Sequence, residues 1–162
     1  MSTITQFPNI PDITLTAAGS DRQLALARIG IPTVLTFHDQ NTALVVSQIN
    51  EAVRNAYPLA SSVVTASVVD LHTVPKLFRS VAKREMKKIY VASAEHLPAT
   101  LNPEDYILIL PDWDGAAHKA MDINDTSKNA AIVVLNGSGQ VVGISQDDNL
   151  PESALALLKQ IG

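Results

Sequence analysis

Apolar and polar positions change period along this chain, and each change of period marks an element. The run Thr33 to Phe37 (TVLTF) is apolar and β-branched but too short for a helix, which predicts a buried strand. A polar turn follows, His38 to Thr42, and the spacing then changes. Leu44, Val45, Ile49, Ala52, Val53 and Ala56 recur at three and four residues, predicting an amphipathic helix that stops before Pro58. Asp39, Asn41 and Thr42 each offer an oxygen to cap it.

The same reading extends over the rest of the chain. Ser62 to Val69 (SVVTASVV) predicts a second buried strand, with Asp70, Leu71 and His72 at its end. Val74 to Tyr90 predicts a second long helix with Leu77, Phe78, Val81, Met86 and Ile89 on its apolar side. Tyr106 to Leu110 (YILIL) predicts a third strand ended by Pro111 and Asp112, then a short helix over Trp113 to Met121. Asn129 to Gly143 reads as a hairpin around Asn-Gly-Ser-Gly. A last helix is capped by Asn149, with Pro151 in its first turn and Leu155, Leu158 and Ile161 inward. Upstream, residues 1–11 form an extended arm, Asp12 to Ala17 alternates like a short edge strand, and Leu24 to Ile29 fits neither period. Strands alternate with helices before a hairpin and a helix. That order predicts a single α/β domain over residues 1–162, its mixed central sheet flanked by helices.

Composition narrows the function more than the fold. The 162 residues are 46% hydrophobic and 17% charged, an ordinary globular balance, and the net charge of −4 argues against nucleic acid as a partner. The chain has 0 cysteines, which excludes disulfides, thiolate metal sites and thiol catalysis. No basic leader or long apolar run begins the chain, and no apolar run approaches the roughly 20 residues of a membrane helix. A cytoplasmic location is therefore expected, with no transmembrane segment.

Several stretches resemble the thioredoxin-like superfamily in its redoxin or peroxiredoxin form. NIPDITLTAAG resembles that family's opening strand, IPTVLTF its central strand, YILILPD the strand before its short helix, and AAIVVLNGSGQVV its last hairpin. The resemblance runs from about residue 8 to the end and implies a thioredoxin-like fold. Its chemistry is missing. A thioredoxin CxxC would fall at about Thr42 and Val45, and a peroxiredoxin PxxxTxxC at Asp39, Ala43 and Val46. The family's cis-proline or arginine before the last hairpin falls near Ala130, where neither stands. Peroxidase or disulfide-reductase activity is not expected.

Other chemistry must come from the ends of the strands, where open α/β sheets bind ligands. His38, Asp39, Asn41 and Thr42 follow the first strand, Asp70 and His72 the second, and Asp112 with Asp114 the third. Two imidazoles and several carboxylates suit a ligand pocket or a divalent metal that activates water, although their spacing matches no ligand motif. Capping helices and ending strands would account for the same residues. ILILPDWDG, with Asp147 and Asp148 downstream, resembles the aspartate motif of haloacid-dehalogenase-type phosphatases, but Pro111 interrupts it and too little chain follows. Gly137, Gly139 and Gly143 imitate a dinucleotide loop, but they lie in the predicted hairpin and open no helix. On the second helix Lys76, Arg79, Lys83 and Lys87 form a basic stripe, either a solvated face or an anion- or partner-binding one.

These residues point to a cysteine-free thioredoxin-like binding module for an unidentified protein or small molecule. The rival is an enzyme that uses the His/Asp cluster, as in metal-dependent hydrolysis. Neither a cofactor nor a resident metal is expected, and a homodimer is compatible with the pattern.

Overall fold

The computed structural model describes residues 9–123 and 125–161, so most of the arm expected over 1–11 lies outside the described residues. Seven strands and five α-helices are present among them: β1 (Thr14–Thr16), β2 (Gln23–Ala25), β3 (Thr33–His38), α1 (Leu44–Ala56), β4 (Val64–Asp70), α2 (Arg79–Glu95), α3 (Pro103–Tyr106), β5 (Ile109–Asp112), α4 (Ala116–Ala120), β6 (Ala131–Leu135), β7 (Val141–Ser145) and α5 (Leu150–Lys159). The central sheet runs β5-β4-β3-β6-β7, and β1 pairs with β2 in a separate ribbon. The edge strand expected over Asp12 to Ala17 is β1, and the unassigned segment after it supplies β2 and a 3₁₀ turn over Leu26–Arg28.

The sheet is mixed for a simple reason. β3, β4 and β5 are parallel and joined by helical crossovers, whereas β6 returns antiparallel to β3 and closes a hairpin with β7. β3 lies in the middle, buried along its whole length. Its continuous apolar run serves both faces of the sheet, with Leu35 and Phe37 on one and Val34 on the other. α1 and α5 cover the Val34 face through Ile49, Val53, Ala154, Leu157 and Leu158. The β1–β2 ribbon and α4 cover the Phe37 face through Leu24, Leu26, Ala117 and Met121.

Several expectations need correction. β5 starts at Ile109 because Pro103 opens a short helix whose Glu104 N–H is accepted by the Asn102 side chain, so Tyr106 ends α3 and Pro111 lies within the strand. The second long helix starts at Arg79, after Pro75 in extended backbone and a 3₁₀ turn at Lys76–Phe78, and runs on to Glu95. Its supposed apolar side is not a core face: Met86 alone is buried, while Leu77 is 82% exposed and Phe78, Val81 and Ile89 are exposed too. In α1 the burial narrows to Ile49 and Val53, with Leu44 75% exposed and Ala56 at the exposed end. Caps differ as well. No side chain caps α1, and at α5 Asn149 stands at the N-cap as expected but without a side-chain cap bond, while the Asp147 carboxylate accepts from Asn149 N–H and Ser153 Oγ.

α2 is anchored to the ribbon partly by Gly19. This residue sits at φ +86°, and a Cβ there would come within 2.7 Å of three Tyr90 side-chain atoms, so the turn and the ring are in direct contact. Replacing Gly19 with alanine should cost about 1–3 kcal/mol of stability in urea unfolding, through left-handed backbone strain and displacement of Tyr90. Stability equal to wild type would show that Tyr90 and α2 yield freely.

Candidate functional site at the carboxyl edge of the sheet

β3, β4 and β5 run in one direction, so their carboxyl ends share an edge, and in register Asp70 stands beside Asp112. α4 follows β5 after a turn through Gly115, at φ +69°, and crosses this edge. The turn is tight, because a Cβ on Gly115 would lie 3.3 Å from His72. Between the strand ends and the segment after α4 opens a cavity of about 720 Å³. Asp39, Asp70, Asp114, Asp122 and Asp125 line it, with Lys119, His72 and His118.

Asp112 fixes the geometry from behind. Its carboxylate is 2% exposed and accepts from Ala117 N–H at 3.2 Å, His118 N–H at 3.0 Å and His118 Nδ1 at 2.9 Å. Burial alone would raise its pKa, but the hydrogen bonds from the His118 ring and from the two amides outweigh it and hold the group below its ordinary value. Asp112 is thus an anion that accepts the Nδ1 proton of His118. The His118 ring is 5% exposed, stands edge-on to Phe37 with centroids 5.0 Å apart, and leaves Nε2 buried with no partner among the described residues.

His38 is a second buried imidazole, 6% exposed. Its Nδ1 lies 2.9 Å from the Asp39 carbonyl, which can only accept, so Nδ1 carries the proton. Nε2 is buried without a partner among the described residues. Burial, with the neighbouring His118, pushes its pKa below 6.5 despite the bond to Asp39. His72 differs, being exposed, and its Nδ1 lies 2.6 Å from the Asp70 carboxylate, whose hydrogen bond raises its pKa.

The expected cluster therefore assembles in part. Asp39, Asp70, His72 and Asp114 reach the cavity, His38 lies buried at the end of β3, and Asp112 is turned inward to brace α4. Asn41 and Thr42 do not join it. Asn41 is exposed, its N–H donating to the Asp39 carboxylate; Thr42 Oγ1 donates to the Thr126 carbonyl at 2.7 Å and lines a smaller cavity of about 270 Å³ with Val45. The expectation missed His118, Lys119, Asp122 and Asp125. The signal available was His118 in the short segment after the third strand, which has to fold back over the edge.

Two chemical readings weaken on this geometry. Among the described residues no three His, Cys, Asp or Glu side chains form a set that could hold a metal ion. Neither orphan Nε2 has a hydroxyl hydrogen-bonded to it among the described residues, so neither His38 nor His118 is paired with a nucleophile there in the Ser–His manner. The glycines at 137, 139 and 143 belong to the β6–β7 hairpin, and the Asp112 of the phosphatase-like string is held by His118. No described helix is long and apolar enough to cross a membrane.

The basic stripe divides. Lys76 is exposed, Arg79 bonds Asp114 at 3.2 Å and lies 5.4 Å from the Trp113 ring centroid, and Lys83 lies over the same ring at 5.8 Å. Lys83 and Lys87 flank a second cleft, between α2 and β1.

A group whose pKa is depressed in the fold binds fewer protons there than in the unfolded chain, so its contribution to stability falls as pH falls. For His38 the loss begins near pH 6.5 and continues down to its folded value. His72, raised by Asp70, works in the opposite sense. His38→Asn, whose amide can still donate to the Asp39 carbonyl, should flatten the decline in urea stability between pH 7.5 and 5.5. The limit for one proton is about 1.4 kcal/mol per pH unit. A variant slope as steep as wild type would mean that His38 is not held neutral.

No protein-family model matches this chain, and no curated protein matches it. Solved structures do. The exposed lipoprotein thioredoxin Etrx1 of Streptococcus pneumoniae aligns at TM-score 0.64 and 14% identity, over 93% of this chain and 99% of that one. An uncharacterised conserved protein of Geobacillus kaustophilus aligns at 0.66 and 15% identity, over 97% and 84%. An uncharacterised thioredoxin-like protein of Porphyromonas gingivalis aligns at 0.61 and 14% identity, over 99% and 94%. At such identities the likeness concerns the backbone: the chain has the thioredoxin-like fold, and it has no cysteine with which to perform thiol chemistry.

Proposed function

We propose that the protein is a non-thiol binding module that holds a small cationic ligand in the carboxyl-edge cavity. The observation that carries this reading is the lining itself, five aspartates against one lysine around about 720 Å³. That volume lies within the usual range for ligand clefts, roughly 300–1,000 Å³. A protonated amine or guanidinium would be drawn and oriented by the carboxylates, with the His118 ring forming part of the inner wall. Asp114 is already matched by Arg79 and Asp70 by His72, so Asp39, Asp122 and Asp125 carry the uncompensated charge. The CxxC register at Thr42 and Val45 lies outside this cavity, so binding here would not depend on the position where relatives of this fold carry sulfur.

Melting curves in the presence of small amines and guanidines, with organic anions of equal size as controls, test the proposal. The cations should raise Tm in a concentration-dependent way, by an amount equivalent to about 2.7 kcal/mol at a hundredfold excess over Kd. An Asp122→Asn, Asp125→Asn double variant should weaken that response at least tenfold. Equal responses to cations and anions, or a response indifferent to the double variant, would exclude the cavity as a cation site.

A further inference from the structure

The ribbon formed by β1 and β2 leaves one strand edge open. Ala17 N–H donates to the Arg22 carbonyl and Leu26 N–H to the Ile13 carbonyl, with Leu15 opposite Leu24 between them. In an antiparallel pair the groups of successive residues point to opposite edges, so residues 13, 15 and 17 face β2. The N–H and C=O groups of Thr14 and Thr16 face away from it. That outer edge begins to pair with β5: Ala18 N–H donates to the Ile109 carbonyl at 2.8 Å. Two residues further along β5 stands Pro111, which has no N–H, and the pairing stops after that one bond.

Beyond this point the two strands part, and a cleft of about 540 Å³ runs along Ile13 to Gly19. Its walls combine backbone, apolar and cationic groups. Met86 and Trp113 supply apolar surface, and Lys83 and Lys87 stand on the α2 side. Neither lysine has a carboxylate partner among the described residues, whereas Lys88 on the outer face is paired with Glu85. Of the carboxylates at the cleft, Asp112 is engaged by His118 and Asp114 by Arg79, leaving Asp21 at one end against two free lysines.

We infer that this cleft binds an extended peptide segment with acidic side chains, which adds as a strand to the open edge of β1. The backbone groups of Thr14 and Thr16 provide the ladder, as Ala18 already does for β5. Alternate side chains of the guest then reach the Met86–Trp113 surface and the two lysines. The same edge without a guest would be a liability for self-pairing, which Pro111 and the covering helix restrain.

Trp113 is the only tryptophan in the chain and lines the cleft, so its fluorescence reports occupancy directly. The probes are a synthetic hexapeptide alternating Glu and Val, the same peptide with Lys for Glu, and a Glu–Val version with alternate amides N-methylated. The Glu–Val peptide should shift the emission saturably. Affinity should fall at least tenfold with Lys83→Glu plus Lys87→Glu, an exposed pair whose reversal leaves the core intact, and the Lys–Val peptide should regain affinity for that variant. N-methylation should remove binding to wild type while leaving the charges unchanged. The inference is overturned if the Glu–Val peptide gives no saturable shift, if charge reversal leaves its affinity unchanged, or if the methylated peptide binds equally well. Sedimentation showing that wild type already pairs through this edge with a second copy would overturn it too.

Discussion

The carboxylate of Asp112 lies buried at the end of β5 and accepts three hydrogen bonds from α4, two from amides and one from the His118 ring. A buried anion left without these donors would cost several kcal/mol, so the short helix is bound to the strand that precedes it. This link carries the rest of the carboxyl edge. It brings His118 against Phe37 of the central strand, closes the inner wall of the acidic cavity, and sets the turn that holds Gly115 against His72. Trp113 and Asp114, between Asp112 and α4, are thereby presented to Arg79 and Lys83 of α2. One carboxylate thus sets the position of both clefts.

The architecture was largely legible in the sequence. β3 and β4 are read from uninterrupted β-branched runs because each is covered on both faces, and such runs have few other uses. The hairpin was legible from its turn, where Gly139 adopts φ +79° against the Ala27 carbonyl. Legibility failed where tertiary context decides. Asn102 and Pro103 convert the start of the third apolar run into a helical turn, a local cap that outweighs the strand propensity of Tyr106. In α2 the apolar stripe suggested a core face, yet only Met86 is buried. Helical periodicity identifies a helix, but it does not say which side has a neighbour.

The candidate site shows the same division. That His38, Asp70, His72 and Asp112 share an edge followed from strand direction alone. Their individual roles did not, because a carboxylate that lines a cavity and one that braces a helix have the same sequence appearance. His118 was hidden for the converse reason: its burial depends on pairing with Asp112 and packing on Phe37, contacts made only after the chain folds back. Thr42, where the resemblance placed the first cysteine of a CxxC, donates to the Thr126 carbonyl across the edge instead.

The claim on which the account rests is the Asp112–His118 link, and a double-mutant cycle measures it most directly. Unfolding free energies of wild type, Asp112→Asn, His118→Gln and the double variant give the coupling between the two side chains. Strong non-additivity is expected, about 1–3 kcal/mol, as for contacting residues in one buried network. Additive effects, within about 0.5 kcal/mol, would mean that α4 is held by other contacts and that the carboxyl edge is not organised by this carboxylate.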